Sequence, residues 1–154
     1  MNHPTPSQSP AALRGRALAL LARREYSRHE LLSKLVESGA APADVEQLLA
    51  EFSERGWQDD PRFAAAFVRE EIRKGHGPVS VRQGLKQRGI ADELIAESLA
   101  AYDWAAMARE VRERKFGQDF PSERKETARQ MRFLQYRGFT GDQCRQALDN
   151  RPTE

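Results

Sequence analysis

Residues 27–52 read SRHELLSKLVESGAAPADVEQLLAEF, and this stretch decides the fold. Ser27 followed by Glu30 is a capping box, in which the serine oxygen takes one orphan amide of a helix start and the glutamate reaches back to another. Leu31 and Leu35 then recur at helical spacing, as do Val45, Leu48, Leu49 and Phe52. Between the two runs Gly39 suits the left-handed position that ends a helix. Pro42 suits a first turn, where a missing N–H costs nothing. The stretch predicts two short amphipathic helices joined by a tight turn.

The same punctuation recurs on either side. Thr140-Gly141-Asp142-Gln143 repeats the capping box, Pro61 and Pro78 stand at further helix starts, and Gly89 and Gly138 follow further amphipathic runs. The boundaries predict nine short helices, at 13–24, 27–38, 42–55, 61–74, 78–88, 91–101, 103–115, 122–137 and 140–149. Laying Gly39 on Gly89 and Gly138 takes shifts of 50 and 49 residues. At those shifts Leu35 meets Leu85 and Leu134, Val45 meets Ile95 and Cys144, and Leu49 meets Leu99 and Leu148. Four columns agree at one spacing. A three-helix unit of this size has too little core alone, so neighbours should stack. The expectation is an all-α, elongated tandem array of three three-helix repeats: 13–58, 59–102 and 103–149, with a disordered tail at 1–12 and a short tail at 150–154.

Composition agrees. Six Val, three Ile and four Thr in 154 residues are few for a sheet protein, and Ala, Leu, Glu, Arg and Gln favour helix. The longest apolar runs, Ala17–Ala22 and Phe63–Val68, are six residues, far short of a membrane span. The start MNHPTPSQSP has neither a basic lead-in nor an apolar core, so it is not read as a signal peptide. One cysteine excludes a disulfide framework, and three scattered histidines offer no zinc motif. A soluble, cytoplasmic protein without cofactor or metal is expected. With 25 Lys plus Arg against 23 Asp plus Glu, net charge alone does not declare a nucleic-acid binder.

Enzyme signals are nearly absent: there is no glycine-rich phosphate loop, H-E-x-x-H or G-x-S-x-G. His29 and His76 read as solvated, Cys144 as a small buried residue of its column, and Asp59-Asp60 as a helix cap with a favourable charge at a helix start. Arginine placement says more. Arg62, Arg69 and Arg73, seven and four residues apart, fall within about 40° on one helix, with Phe63, Ala64, Phe67 and Val68 turned toward the core. Lys125, Arg129, Arg132 and Tyr136 form a second row, and Arg82 with Lys86 a shorter pair. Each row reads either as a solvated helix face or as a site for an anionic partner, which the lack of interleaved acids favours. Tyr136 reads better as packed between repeats than as a base-stacking group. The connector Phe116–Pro121 reads as the most mobile joint. The whole basic excess lies in residues 102–154, with eleven bases against nine acids.

Longer stretches carry a family resemblance. Leu21-Ala22-Arg23-Arg24-Glu25-Tyr26-Ser27 leading into Glu30-Leu31 and Lys34-Leu35 resembles the opening of RecX, the bacterial regulator of the RecA recombinase. Asp59-Asp60-Pro61-Arg62-Phe63 through Phe67-Val68-Arg69 resembles its most distinctive stretch. Gly75-His76-Gly77-Pro78, Val81-Arg82-Gln83 and Leu85-Lys86-Gln87-Arg88-Gly89-Ile90 continue the match. So do Arg129-Gln130-Met131-Arg132-Phe133-Leu134 and Arg137-Gly138-Phe139. The resemblance spans about residues 13–149. It implies tandem three-helix repeats and binding along RecA nucleoprotein filaments, limiting ATP hydrolysis, strand exchange and coprotease activity. That places this chain in the control of recombination, repair and the SOS response. Two residues depart from the family pattern: Gly84 replaces an acidic helix former and Gln58 an apolar residue, both expected to weaken local packing.

The expected role is thus a non-catalytic, monomeric regulator. Arg62, Arg69, Arg73, Arg82, Lys86, Lys125, Arg129 and Arg132 would contact the filament or its single- or double-stranded DNA. Direct DNA binding of helix-turn-helix type, or a helical protein scaffold, are the alternatives. A nearly cancelled net charge favours a protein-containing target over bare DNA.

Overall fold

The computed structural model describes residues 9–150, which form nine α-helices and no strand. They are α1 (Pro10–Arg23), α2 (Arg28–Glu37), α3 (Pro42–Glu54), α4 (Asp60–Arg73), α5 (Pro78–Gln87), α6 (Asp92–Ala100), α7 (Trp104–Phe116), α8 (Arg124–Tyr136) and α9 (Gly141–Ala147). Every helix expected from the sequence is present, and the all-α class holds. The expected tail is too long by a turn. Ser9 Oγ accepts from the Ala12 amide at 3.2 Å and Pro10 stands in the first turn, so residues 10–12 are helical. Residues 1–8 and 151–154 of the expected tails lie outside the described residues.

The described residues fall into two compact units, one of residues 9–66 with Lys86–Leu94, the other of Phe67–Leu85 with residues 95–150. The middle three helices are therefore divided between the units, within α4, α5 and α6.

In the first unit α1, α2 and α3 surround Leu13, Ala17, Leu31, Leu35, Val45, Leu49 and Phe52. Each fully buried Leu or Phe contributes about 1.5–3 kcal/mol relative to an exposed one. The capping box of α2 forms as expected: Ser27 Oγ accepts from Glu30 N, and Ser27 N donates to Glu30 Oε1 at 3.0 Å. The same serine hydroxyl donates to Arg88 O at 2.8 Å, so one buried cap also ties the α5–α6 turn to α2. Asp59 caps α4 by accepting from Arg62 N. Asp60 is the acidic residue of the first turn of α4, as expected, and its carboxylate also accepts from Arg28 N, an orphan amide of α2, at 2.9 Å. Gln58, expected to weaken packing, is buried with its amide donating to Tyr26 O and Asp60 Oδ1 at 3.2 and 2.9 Å. A buried amide so paired carries no desolvation penalty of an orphan group.

The second unit packs α7 against α8 and α9 around Trp104, Ala108, Leu134, Phe139, Cys144 and Ala147. Of the repeat columns, Leu35, Leu85 and Leu134 are buried, as are Val45, Ile95 and Cys144; the buried structural reading of Cys144 holds. Leu148 is the exception, only partly buried where it caps α9. Gly39, Gly89 and Gly138 have φ of 108°, 73° and 101°, the left-handed values expected of helix ends. After each, Ala40, Ile90 or Phe139 turns inward. Within this unit Gly77 N donates to Arg137 O at 2.8 Å and Val79 N to Gly138 O at 2.9 Å, joining the start of α5 to the end of α8 through backbone alone. A Cβ on Gly138 would stand 2.5 Å from Ser80 Cβ, so this approach requires glycine as well as the positive φ.

Candidate functional site

The expected cations lie on α4, α5 and α8, and all eight are exposed: Arg62, Arg69, Arg73, Arg82, Lys86, Lys125, Arg129 and Arg132. On α4 the apolar face turns inward as expected, with Phe63, Ala64 and Val68 buried and Phe67 partly so. The premise that no acids interleave them needs correction. Arg62 faces Glu25 at 3.0 Å, Arg73 faces Glu70 at 2.5 Å, Lys86 faces Asp92 at 3.8 Å and Arg129 faces Glu126 at 2.9 Å. The acids lie one helical turn away or on another segment, where a row count on one helix face does not see them.

These four pairs differ in kind. Arg62 also donates to Gly56 O at 2.8 Å and Trp57 O at 3.2 Å, so its guanidinium is committed to holding the α3–α4 turn. Arg73 and Arg129 are held by a carboxylate three residues earlier on the same exposed helix face. Hydrogen bonding to the arginine holds Glu70 below the usual carboxylate range, and hydrogen bonding to Arg129 and Gln130 brings Glu126 to about 2. Exposed pairs of this type are screened by solvent and contribute little, so an anionic ligand can exchange with the carboxylate. The remaining four cations, Arg69, Arg82, Lys125 and Arg132, meet no acid among the described residues, and all belong to the second unit.

Tyr136 was expected between repeats but is 93% exposed. It ends α8, one residue before the backbone turns at Arg137 and Gly138, and its ring projects past the packed face. On α8 it lies within about 40° of Lys125 and Arg132, so an unpartnered aromatic and two unpaired cations share one face.

Sequence reasoning missed a second group of cations in the same unit. Lys74, Arg114, Lys115 and Arg137 surround a pocket of about 210 Å³ floored by Val111 and Phe133. Arg137 Nη1 donates to Lys74 O at 3.0 Å, and its guanidinium carbon stands 5.0 Å from the Phe133 ring centre. Lys115 Nζ is 5.7 Å from the same ring. The signal was present as Arg114-Lys115 at the end of α7 and Arg137 after α8, but Lys74, which completes the group, comes from the end of α4, far back in the sequence.

One further residue departs from expectation, and a buried arginine joins it. His76 is half-buried with Nδ1 against the Glu71 carboxylate, and is not a solvated turn histidine; His29 is exposed as expected. Arg112 is fully buried. It donates to Ala147 O at 3.1 Å, Asp119 O at 3.2 Å, Gln118 O and Gln130 Oε1 at 3.4 Å, and lies 4.5 Å from the Phe120 ring centre. The Phe116–Pro121 connector, expected as the most mobile joint, is thus held by Arg112 at Gln118, Asp119 and Phe120.

Comparison with known proteins covers nearly all of these elements. Models of the RecX first, second and third three-helix domains match residues 14–52, 59–99 and 101–148, in that order. The regulatory protein RecX of Halorhodospira halophila is 51% identical over 138 residues, 88% of this chain and 86% of that one. The regulatory protein RecX of Acidithiobacillus ferrooxidans is 42% identical over 144 residues, 94% of this chain and 91% of that one. The RecX crystal structure from Lactobacillus salivarius shares the fold, with a TM-score of 0.78 at 18% identity over 90% of this chain and 93% of that one.

Proposed function

This chain belongs to the RecX family, and from that premise we propose that it is a non-catalytic regulator of the RecA recombinase. It binds RecA nucleoprotein filaments in the cytoplasm as a monomer and modulates them, mainly by inhibition, limiting ATP hydrolysis, strand exchange and coprotease activity. The observation that carries the reading is the ordered match of all three RecX three-helix domains along residues 14–148.

The surface supports an anionic partner. Arg69, Arg82, Lys125 and Arg132 are the contacts available without breaking a pair, while Arg73, Lys86 and Arg129 become available by exchanging a weak exposed pair. Arg62 contributes by fixing the α3–α4 turn. Tandem units supply several modest contacts, and linked contacts gain avidity that no single patch needs. A protein that binds one filament geometry better than another biases the ATP-linked cycle by that difference in affinity. Because the net charge is only +2, specificity comes from placed cations and not from bulk attraction.

The test is DNA-dependent ATP hydrolysis by the cognate recombinase with and without this protein, with filament co-sedimentation alongside. Inhibition with co-sedimentation is expected; unchanged hydrolysis at stoichiometric excess rejects the reading. A second reading, direct DNA binding, is favoured by the exposure of Tyr136 beside unpaired cations. It predicts that binding to free DNA, without recombinase, accounts for the whole effect.

A further inference from the structure

The pocket among Lys74, Arg114, Lys115 and Arg137 has the chemistry of a phosphate site. No acid lines it, and Arg114 has no acid partner among the described residues. Glu71 stands 3.6 Å from Lys74 but is shared with His76. Arg137 is already oriented, held by the Lys74 carbonyl and stacked on Phe133, so little side-chain freedom is lost when it meets an anion. Its planar fork matches phosphate oxygens. At about 210 Å³ the pocket lies below the roughly 300–1,000 Å³ typical of organic-ligand sites. Its size suits a single anionic group, the rest of the ligand lying outside.

What lies outside is Tyr136. It follows Phe133, which floors the pocket, by three residues on α8 and immediately precedes Arg137. An aromatic left 93% exposed beside a phosphate-sized cationic pocket fits one nucleotide, phosphate inside and base on the ring. Down the same face, Arg132 and Lys125 follow Tyr136 at about 6 and about 16 Å along the helix, a track for further phosphates. A duplex keeps its bases stacked on each other, so an exposed ring gains only from unpaired bases.

We propose that this pocket binds a backbone phosphate of single-stranded nucleic acid while Tyr136 stacks a neighbouring base. The choice of nucleic acid as ligand rests on the nucleoprotein reading above; the site itself rests on the pocket and the tyrosine.

The test uses the full chain and a labelled oligothymidylate of about 16 nucleotides, the upper site size of a single-strand-binding module. A duplex of equal length is the comparison, and fluorescence anisotropy at several salt concentrations the readout. The wild type is expected to favour the single strand by about fivefold or more, the low end of one base–aromatic stack. The double variant Arg114→Gln/Lys115→Gln should lose about tenfold or more and show a salt slope shallower by about one. Tyr136→Ala should lose about fivefold on the single strand and nothing on the duplex. Arg23→Gln/Lys34→Gln, an equal charge change on exposed residues of the first unit, is the control. Equal loss in control and pocket variants, an unaffected Tyr136→Ala, or a wild type without single-strand preference each overturns the proposal. The recombinase ATPase assay on the same preparations separates the two readings. Inhibition by a wild type whose pocket variants bind oligothymidylate normally overturns the pocket alone. Absent inhibition with the expected oligonucleotide pattern overturns the filament reading and supports the pocket.

Discussion

Arg112 Nε donates to the carbonyl of Ala147 at 3.1 Å, from the middle of α7 to the last residue of α9, with the guanidinium wholly out of water. The remaining donors reach Asp119 O, Gln118 O and Gln130 Oε1, and the plane rests on Phe120. Burial draws this group below its ordinary pKa, and three carbonyls accept its hydrogen bonds in place of water. It replaces apolar packing at the centre of the second unit with a hub that joins α7, α8, α9 and the connector. Arg112→Ala should cost about 2–6 kcal/mol, since the two buried acceptors Ala147 O and Gln130 Oε1 each lose a donor at about 1–3 kcal/mol. Arg112→Lys should also destabilise, since one ammonium cannot span the fork. Urea unfolding checks both, and a loss below about 1 kcal/mol for the alanine variant contradicts the hub.

Gly138 and Gly117 separate two reasons for glycine. Both have positive φ, 101° and 90°, but a Cβ at 138 meets Ser80 Cβ at 2.5 Å whereas nothing lies within 4 Å of one at 117. Gly117, at φ 90° and ψ 177°, occupies a region essentially reserved for glycine, so Gly117→Ala should cost about 1–3 kcal/mol, the conformational penalty alone. Gly138→Ala should cost clearly more, because the α5–α8 backbone contact must open as well. Equal losses in thermal or chemical unfolding refute the close approach.

The repeat was legible because its marks are local. A capping box, a left-handed glycine and an apolar column each depend on residues within one turn, and Ser27, Gly39 and Val45 behave in space as their neighbours dictate. The start of α1 was misplaced because Ser9-Pro10 caps a helix whose first turn, Pro10–Leu13, carries only one buried leucine and so little periodicity. Charge was legible only in part. Arg69 and Arg132 could be placed on an exposed face from helical spacing, but Glu25 reaches Arg62 from 37 residues away. Arg112 looks like a surface residue in any column count, because three of its four hydrogen-bond acceptors are main-chain carbonyls, which have no sequence signature. Tyr136 misled for the opposite reason: tyrosine usually buries its ring, and only the exit of the chain at Arg137 leaves it exposed.

Cys144 provides a probe of the second unit. It is fully buried in the column of Val45 and Ile95, its Sγ 3.9 Å from Phe139 O, and burial pushes the thiol up. A thiol so placed should be inert to alkylation in the native protein and should react at the rate set by unfolding. Cys144→Val, the side chain that column already accepts at Val45, should change stability by less than about 1.5 kcal/mol. Fast labelling without denaturant contradicts the packing.

Glu126 supplies the pH signature of the cation row. Hydrogen bonds from Arg129 and Gln130 bring its carboxyl from an ordinary 4.5 to about 2. A carboxylate depressed in the folded state contributes stability that is fully present above its unfolded pKa. That contribution is lost as pH falls through the folded value, so the window runs from about 4.5 down to about 2. Above it Arg129 is paired with Glu126; within and below it the arginine is progressively released. A carboxyl-carbon NMR titration should place the Glu126 midpoint near 2, and Arg129→Gln should move it back toward 4.5. A wild-type midpoint already near 4.5 would mean that the pair does not form in solution, leaving Arg129 as available to an anion as Arg132 is.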